Sequence, residues 1–325
     1  MGSERIQTSF LIISDTRDLD LRQYSGVATD GEHNQFGFNP LPPVDVVLHC
    51  GNLTDRGRIA NHMRALEGLA RLPAELKLVI AGNHDIDLDE RSYARANDGD
   101  TTIPATVKDL WTKSELALSN NIKYLEEGLH QFHLKSGATF LIHASPYTPG
   151  DGGSAFQYLP NTDRFNGTLI TPEHFQNVSS QNTIVSGHID ILMTHGPPRW
   201  ILDQGDDIYG SSVGCQHLRR AVLGTKPRLH CFGHIEKSWG AVRGRWAGIG
   251  DLGEGSLIMM PQMTTLSASN KARGYADLHQ SVTEQLESGQ QTLFVNAAVG
   301  NEDGKMRKVP WIVNLLLRKR DVKQE

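Results

Sequence analysis

Five short apolar runs, each ending in a cluster of polar residues, limit what this 325-residue chain can fold into. They are Phe10 to Ile13 before Ser14-Asp15-Thr16-Arg17, Val44 to Leu48 before Gly51-Asn52, and Leu76 to Ile80 before Ala81-Gly82-Asn83-His84-Asp85. The other two are Ile189 to Met193 before Thr194-His195-Gly196, and Arg228 to Phe232 before Gly233-His234-Ile235-Glu236. Runs this short read as parallel strands buried on both faces. Ile59 to Leu72 follows the second run with apolar residues at helical spacing, which makes a βαβ crossover. In an open α/β sheet, ligands gather outside the carboxyl ends of the strands, so five distant segments build one pocket.

The rest of the chain fills in around that pattern. Leu19 to Pro43 is rich in Gly, Asn, Asp and Pro and reads as a long loop or lid. The polar stretch from Asp85 to Thr102 reads as irregular, and Val107 to Leu118 as a helix. Gln131 to His143 reads as two strands around a Lys135-Ser136-Gly137 turn, and Ser145 to Gly153 as a loop on the functional edge. Gln216 to Leu223 is a further helix, and Leu257 to Met260, Leu293 to Ala297 and Trp311 to Leu316 are closing strands. We expect one domain over residues 1–325, with a short amino-terminal tail and a solvated basic tail at Arg318-Lys319-Arg320.

Composition excludes several classes. A formal charge of -5 gives no reason to expect nucleic acid or an anionic membrane as partner. No apolar run approaches the roughly 20 residues that span a bilayer, and Met1 to Gln7 is too short and polar for a secretory leader, so a cytoplasmic protein is expected. Cys50, Cys215 and Cys231 follow no zinc spacing and are odd in number, which suits buried free thiols better than ligands or disulfides.

Asp15, Asn52, Asn83, His195, His234 and Glu236 place oxygen and nitrogen donors at strand ends, a set that suits a divalent transition metal better than calcium. A lone His or Asn at such a position ordinarily makes a structural hydrogen bond. Five such positions in strand order carry more weight. The order Asp-Thr-Arg, Gly-Asn-Leu-Thr-Asp, Gly-Asn-His-Asp, Thr-His-Gly-Pro-Pro, Gly-His-Ile-Glu resembles the five-block signature of the calcineurin-like metallophosphoesterases. It is especially similar to the branch with the mammalian brain metallophosphoesterase-domain proteins and fungal homologues. The resemblance implies an α/β fold of two mixed β-sheets sandwiched between helices, with two metal ions in the loops at the strand ends. It also implies that Asp15 binds the first ion, that Asn52 stands at the bridging position, and that Asn83, His195 and His234 form the second site. His84 matches the family histidine that touches the phosphate and protonates the leaving oxygen.

Three positions depart from the family pattern. Arg17 and Glu236 stand where histidines are expected, and Asn52 where an aspartate is expected. Arg17 stays protonated and has no lone pair to give a metal, and a neutral amide bridges two cations poorly. The losses fall on the first site and the bridge and spare the second. We therefore expect Arg17 to take the first metal's position, paired with Asp15 and Glu236. The cofactor expected is one divalent ion rather than two, manganese, iron or zinc, or none. The expected activity is weak, one-metal hydrolysis of a small phosphoester. The alternative is a catalytically altered or inactive member that binds an anionic ligand or partner in the same cleft. Single features have plainer readings: His49, His143, His188, His217 and His230 as structural or exposed, Asp55-Arg56-Gly57 as a turn with a surface ion pair, and Asp203, Asp206 and Asp207 as solvated. Tyr147, Phe156, Tyr158, Trp200 and Trp239 read as aromatics that pack the rim loops or stack on a substrate ring.

Overall fold

Two sheets pack face to face, and the alternation along each strand shows why. In Arg5–Ile13 (β1), Phe10 and Ile12 point to one hydrophobic cluster and Leu11 and Ile13 to another. Val44–His49 (β2) and Ala74–Val79 (β3) repeat this, sending Val46, Leu48, Leu76 and Leu78 inward and Val47 and Val79 outward. A period of two with both faces apolar requires cover on both sides. The coordinates are a computed structural model that describes residues 4–21, 41–167, 176–177, 184, 189–206, 208–246, 262–266, 275–278, 286, 289–302 and 305–320.

The outer cover of the first sheet is Ile59–Ala70 (α1) with Thr102–Lys113 (α3), through His62, Ala65, Leu66 and Leu69 and through Val107 and Trp111. Glu115–Ser119 (α4) and Ile122–Tyr124 (β4) complete this side. The second sheet is built on Ala138–Ser145 (β6), Ile191–Thr194 (β7), Leu229–Phe232 (β8) and Gln291–Asn296 (β12). Its inner residues Phe140, Ile142, Ile191, Met193, Cys231 and Val295 meet Phe10, Leu48 and Leu78 in the shared core. Its outer residues Leu192, Phe232 and Phe294 are covered by Leu218, Ala221 and Val222 of Gln216–Thr225 (α5).

Antiparallel strands flank both parallel cores. Trp311–Lys319 (β13) lies against β1, Gly128–His133 (β5) against β6, and Gly240–Arg245 (β9) against β12. Gln262–Thr265 (β10) pairs antiparallel with β9, whereas Ala276–Asp277 (β11) pairs parallel with β13. Hydrogen bonding runs through all 13 strands, because β13 also pairs with β6 at Arg318–Thr139 and Lys319–Ala138. At the opposite end, Ser14 N donates to Ala297 O (2.9 Å) and Val299 N to Ser14 O (3.0 Å). The two sheets are thus tied at one end by β13 and at the other by the first functional loop, which brings the carboxyl ends of β1, β2, β3, β7 and β8 to one edge.

Three expectations are corrected. The stretch after Asp85 is not irregular: it holds the helix Glu90–Ala96 (α2), whose N-cap Asp89 accepts from Ser92 N at 3.1 Å. The Arg318-Lys319-Arg320 side chains are exposed, but Arg318 and Lys319 belong to β13 and are no tail. The expected 107–118 helix is two helices, with Ser114 at φ -64, ψ 146 between them capping α4. The expected strand at Leu257 to Met260 and residues 22–40 of the expected lid lie outside the described residues. Among those described, no helix is long and apolar enough to cross a membrane.

Candidate metal centre

The loops that carry the signature are held in strained conformations by one another. Asp15 (φ 59), Arg17 (φ 41), Asn52 (φ 54) and His234 (φ 68) all occupy the left-handed region, at a cost of about 1–3 kcal/mol each. Backbone bonds lock them: Asp15 N donates to Gly51 O (2.9 Å), Arg17 N to Asn52 O (3.0 Å) and Gly233 N to His195 O (2.9 Å). Glycine is required where backbones close on side chains. A Cβ on Gly82 would sit 2.6 Å from His195 Cε1 and overlap the Asn52 amide oxygen.

The polar centre is an amide and carboxylate network. Asn52 Nδ2 donates to Asp15 Oδ1 (2.7 Å) and to Asn83 Oδ1 (3.2 Å), and Asn52 Oδ1 accepts from His84 N (2.9 Å). A backbone N–H only donates, so His84 fixes which way the Asn52 amide faces. Asn52 thus presents its NH2 group to both Asp15 and Asn83. Asp15 is fully buried, and its Oδ2 accepts from His234 N at 2.7 Å. Burial alone would raise the Asp15 carboxyl, but His195, the His234 N–H, Arg17 and the His234 ring together hold it below the usual aspartate value.

Asn83 Oδ1 lies 2.9 Å from His195 Nε2 and 3.0 Å from His234 Nδ1. Burial pulls both imidazoles down, His234 to about 3, so both are neutral at pH 7. His195 Nδ1 faces the Cys50 carbonyl at 2.8 Å, and a carbonyl only accepts. The single proton of His195 is therefore on Nδ1, and the lone pair of Nε2 opposes the lone pairs of Asn83 Oδ1. A cation resolves that contact, and a backbone carbonyl that holds Nδ1–H is the usual way to orient a metal-binding imidazole. Donors held at right angles about 2.1 Å from one ion lie about 3 Å apart, which is the separation of Asn83 Oδ1 from each of the two imidazole nitrogens. Among the described residues no group of three or more His, Cys, Asp and Glu side chains is gathered as for a metal. Here the third donor is an amide.

Arg17 pairs with Glu236, Nη2 to Oε1 at 3.2 Å, with both side chains partly exposed. Its influence on Asp15 is a through-space charge effect. Glu236 fits because residue 300 is glycine: a Cβ there would lie 2.6 Å from Glu236 Oε2. Partial burial raises the Glu236 carboxyl, with Asp15 adding to the rise and Arg17 opposing it.

Two contributors went unassigned from the sequence. Asp85 is fully buried and accepts from Gly82 N (2.8 Å), Leu53 N (3.1 Å), Thr54 N (2.8 Å) and Thr54 Oγ1 (2.9 Å), which staples the second loop to the third. Burial pushes it up to about 6 against those four bonds. Asp55 does form the expected surface ion pair with Arg56 (3.4 Å), but its carbonyl also accepts from His84 Nδ1 at 2.8 Å. That bond leaves Nε2 as the free nitrogen of His84. The Gly-Asn-His-Asp spacing was the available signal for Asp85. Asp55 stood out in the sequence only as part of the Asp55-Arg56-Gly57 turn, and a bond through its backbone carbonyl leaves no side-chain signal.

The plainer readings hold in most places. His49, His143, His217 and His230 are buried, and the three cysteines are buried free thiols. His188 and Asp207 lie outside the described residues. Asp203 is not solvated: it is 3% exposed and organises a turn by accepting from Trp200 N and Gly214 N, both at 2.9 Å. Phe156 and Tyr158 pack the rim loops, whereas Trp200 is 50% exposed.

The sequence model of the calcineurin-like phosphoesterase family matches residues 8–237. Metallophosphoesterase domain-containing protein 1 of Homo sapiens is 30% identical over 220 residues, 66% of this chain and 61% of that protein. A UPF0046 protein of Caenorhabditis elegans is 27% identical over 218 residues, 66% of this chain and 64% of that protein. A probable rhamnogalacturonate lyase C of Emericella nidulans is 32% identical over 202 residues, 62% of this chain but 16% of that protein. The matched segment spans less than two thirds of each of these relatives.

Proposed function

Because the chain belongs to the calcineurin-like phosphoesterase family, we propose that it hydrolyses a small phosphoester with one divalent ion on Asn83, His195 and His234. Arg17, held by Glu236, then stands in for the first ion. The observation that carries this reading is the His195 tautomer: its Nδ1–H is committed to Cys50, and its bare Nε2 faces Asn83 and shares that oxygen with His234. An ion bound there supplies Lewis-acid polarisation of a phosphoryl oxygen and acidification of a water.

The chain's own residues do the rest. Arg17 keeps a fixed, partly exposed guanidinium beside the centre, suited to two phosphoryl oxygens as charge builds on them. Asn52 holds Asp15 by its NH2 group, so Asp15 orders the His234 loop. His84, anchored through Nδ1 to the Asp55 carbonyl, offers Nε2 to carry a proton to the leaving oxygen. Turnover is slow, because phosphoester hydrolysis demands the largest rate enhancements known and the first ion has no complete ligand set. The lyase activity named for the fungal relative is not carried over, since the match covers 16% of that protein.

A second reading rests on the same network. One extra proton shared between His195 and His234 would satisfy Asn83 without an ion, leaving an Arg17-centred pocket that binds anions and does no chemistry. Metal content decides between them. The protein is purified without chelator, incubated with manganese, and assayed for bound metal and for hydrolysis of an activated aryl phosphodiester. About one equivalent with metal-dependent turnover, both lost in His195→Ala, supports the one-ion esterase. No metal and no turnover leaves the anion-binding reading.

A further inference from the structure

The loops that follow the two histidine blocks enclose a second cleft of about 440 Å³, lined by Trp200, Gln204, Ser212, Ser238 and Trp239 among others. Small-molecule sites run from about 300 to 1,000 Å³, so one ring system fits. One wall is the segment that begins at Trp200, closed by the Gln204–Ser212 bridge and pinned by Asp203. The other is the short turn Glu236–Ser238 with Trp239 behind it.

The two walls are tied to each other and to the loops of the metal centre. Asn296 Nδ2 donates to Leu202 O (3.2 Å) and to Ile235 O (2.9 Å), clamping the two loops to each other. Gln204 N donates to Ser238 Oγ at 2.9 Å. Trp239 stacks on Trp311 at 4.7 Å, and Trp200 carries the Arg219 guanidinium 4.3 Å from its ring centre. The turn that forms the second wall begins at Glu236, the partner of Arg17, so the cleft and the anion-binding guanidinium share one short segment.

We infer that this cleft holds the alcohol portion of the phosphoester, a ring with apolar faces and a polar edge. The half-exposed Trp200 indole and Trp239 suit the faces of such a ring, and the exposed Gln204 amide suits its edge. This assignment rests on the phosphoester reading and names its substrate class.

The test is direct binding, by calorimetry on the full chain, of inorganic phosphate, methyl phosphate, phenyl phosphate and glucose 1-phosphate. A ring ester is expected to bind at least tenfold tighter than methyl phosphate, and whichever of the two leads identifies the ring as aromatic or saturated. Trp200→Ala should erase that advantage and leave inorganic phosphate unchanged; Gln204→Ala, at an exposed position, should reduce it severalfold and serves if Trp200→Ala does not fold. Equal binding of ring and methyl esters, or an advantage that survives both substitutions, overturns the inference while leaving the proposed activity standing. No binding of phosphate or of any ester overturns both.

Discussion

Replacing Asn52 by aspartate, the residue that the family resemblance implies at this position, should make the fold depend on metal. In the wild type the Asn52 NH2 lies 2.7 Å from Asp15 Oδ1 at a site with no solvent exposure. In Asn52→Asp without metal, two carboxyls meet there. Both charged at that distance, they would repel by roughly 6 kcal/mol at an effective dielectric of 20, so the pair retains a proton instead. Holding a proton that a free aspartate would lose costs about 1.36 kcal/mol per pH unit above a pKa of about 3.9. That is about 4 kcal/mol at pH 7 and about 1.5 kcal/mol at pH 5, a large part of a typical stability of 5–15 kcal/mol. The sign follows from linkage: the retained proton raises a folded-state pKa, so the stability loss grows as pH rises. Urea unfolding of both proteins in chelator at pH 5 and pH 7 gives the difference directly. Manganese should then recover most of the loss in the variant, because an ion displaces the shared proton. A variant as stable as the wild type in chelator at pH 7, or a loss independent of pH, would refute the placement of the Asn52 amide against Asp15.

Other substitutions test separate parts of the centre. Arg17→Ala should weaken inorganic phosphate binding about tenfold or more by calorimetry while costing under about 1 kcal/mol of stability, since the Arg17–Glu236 pair is partly exposed. Asp85 has a folded pKa of about 6, raised by burial, so its contribution is fully present below about pH 4 and fades as pH rises through 6. The lead of the wild type over Asp85→Asn should accordingly narrow by about 3 kcal/mol between pH 4 and pH 7 in chelator-treated denaturation curves. Gly82→Ala drives a methyl against the Asn52 oxygen and His195 Cε1; it should cost about 2–4 kcal/mol and abolish metal uptake measured by elemental analysis.

The strands could be read in advance because their information is local. Phe10, Ile12, Leu48 and Leu78 on one face and Leu11, Ile13 and Val79 on the other made both sheet faces apolar, and only a strand buried on both sides tolerates that. The same holds for the meeting of Asp15, Asn52, Asn83, His195 and His234, which follows from parallel strands ending on one edge. What could not be read depends on partners distant in sequence. The helix after Asp89 looks polar throughout; its N-cap aspartate also accepts from Phe156 N, 67 residues on, at 2.6 Å. The direction of the Asn52 amide is set by His84 N, 32 residues away, and no property of Asn52 itself foretells it. Asp203 sits among residues that look like a solvated acidic loop, yet it is buried because two backbone N–H groups converge on it.

The three departures that the family resemblance implies make better sense together than singly if Arg17 replaces the first ion, as proposed. Loss of the first divalent ion would remove two positive charges from a buried centre that still holds Asp15. Arginine in place of the first-block histidine returns one of them, and asparagine in place of the bridging aspartate removes the negative charge that needed the other. Glutamate in place of the last histidine gives the guanidinium a partner at 3.2 Å while adding back one negative charge, and a glycine at 300 makes the room that carboxylate needs. Reverting one position alone should therefore do harm: Asn52→Asp brings two carboxylates together, and Glu236→His takes away the partner of Arg17. Only the triple reversion, Arg17→His with Asn52→Asp and Glu236→His, restores both charge balance and a complete ligand set. It should bind about two equivalents of metal and hydrolyse aryl phosphodiesters faster than any single reversion. If the three single effects on metal content and stability simply add, the positions are independent, and the idea that Arg17 replaces an ion is wrong.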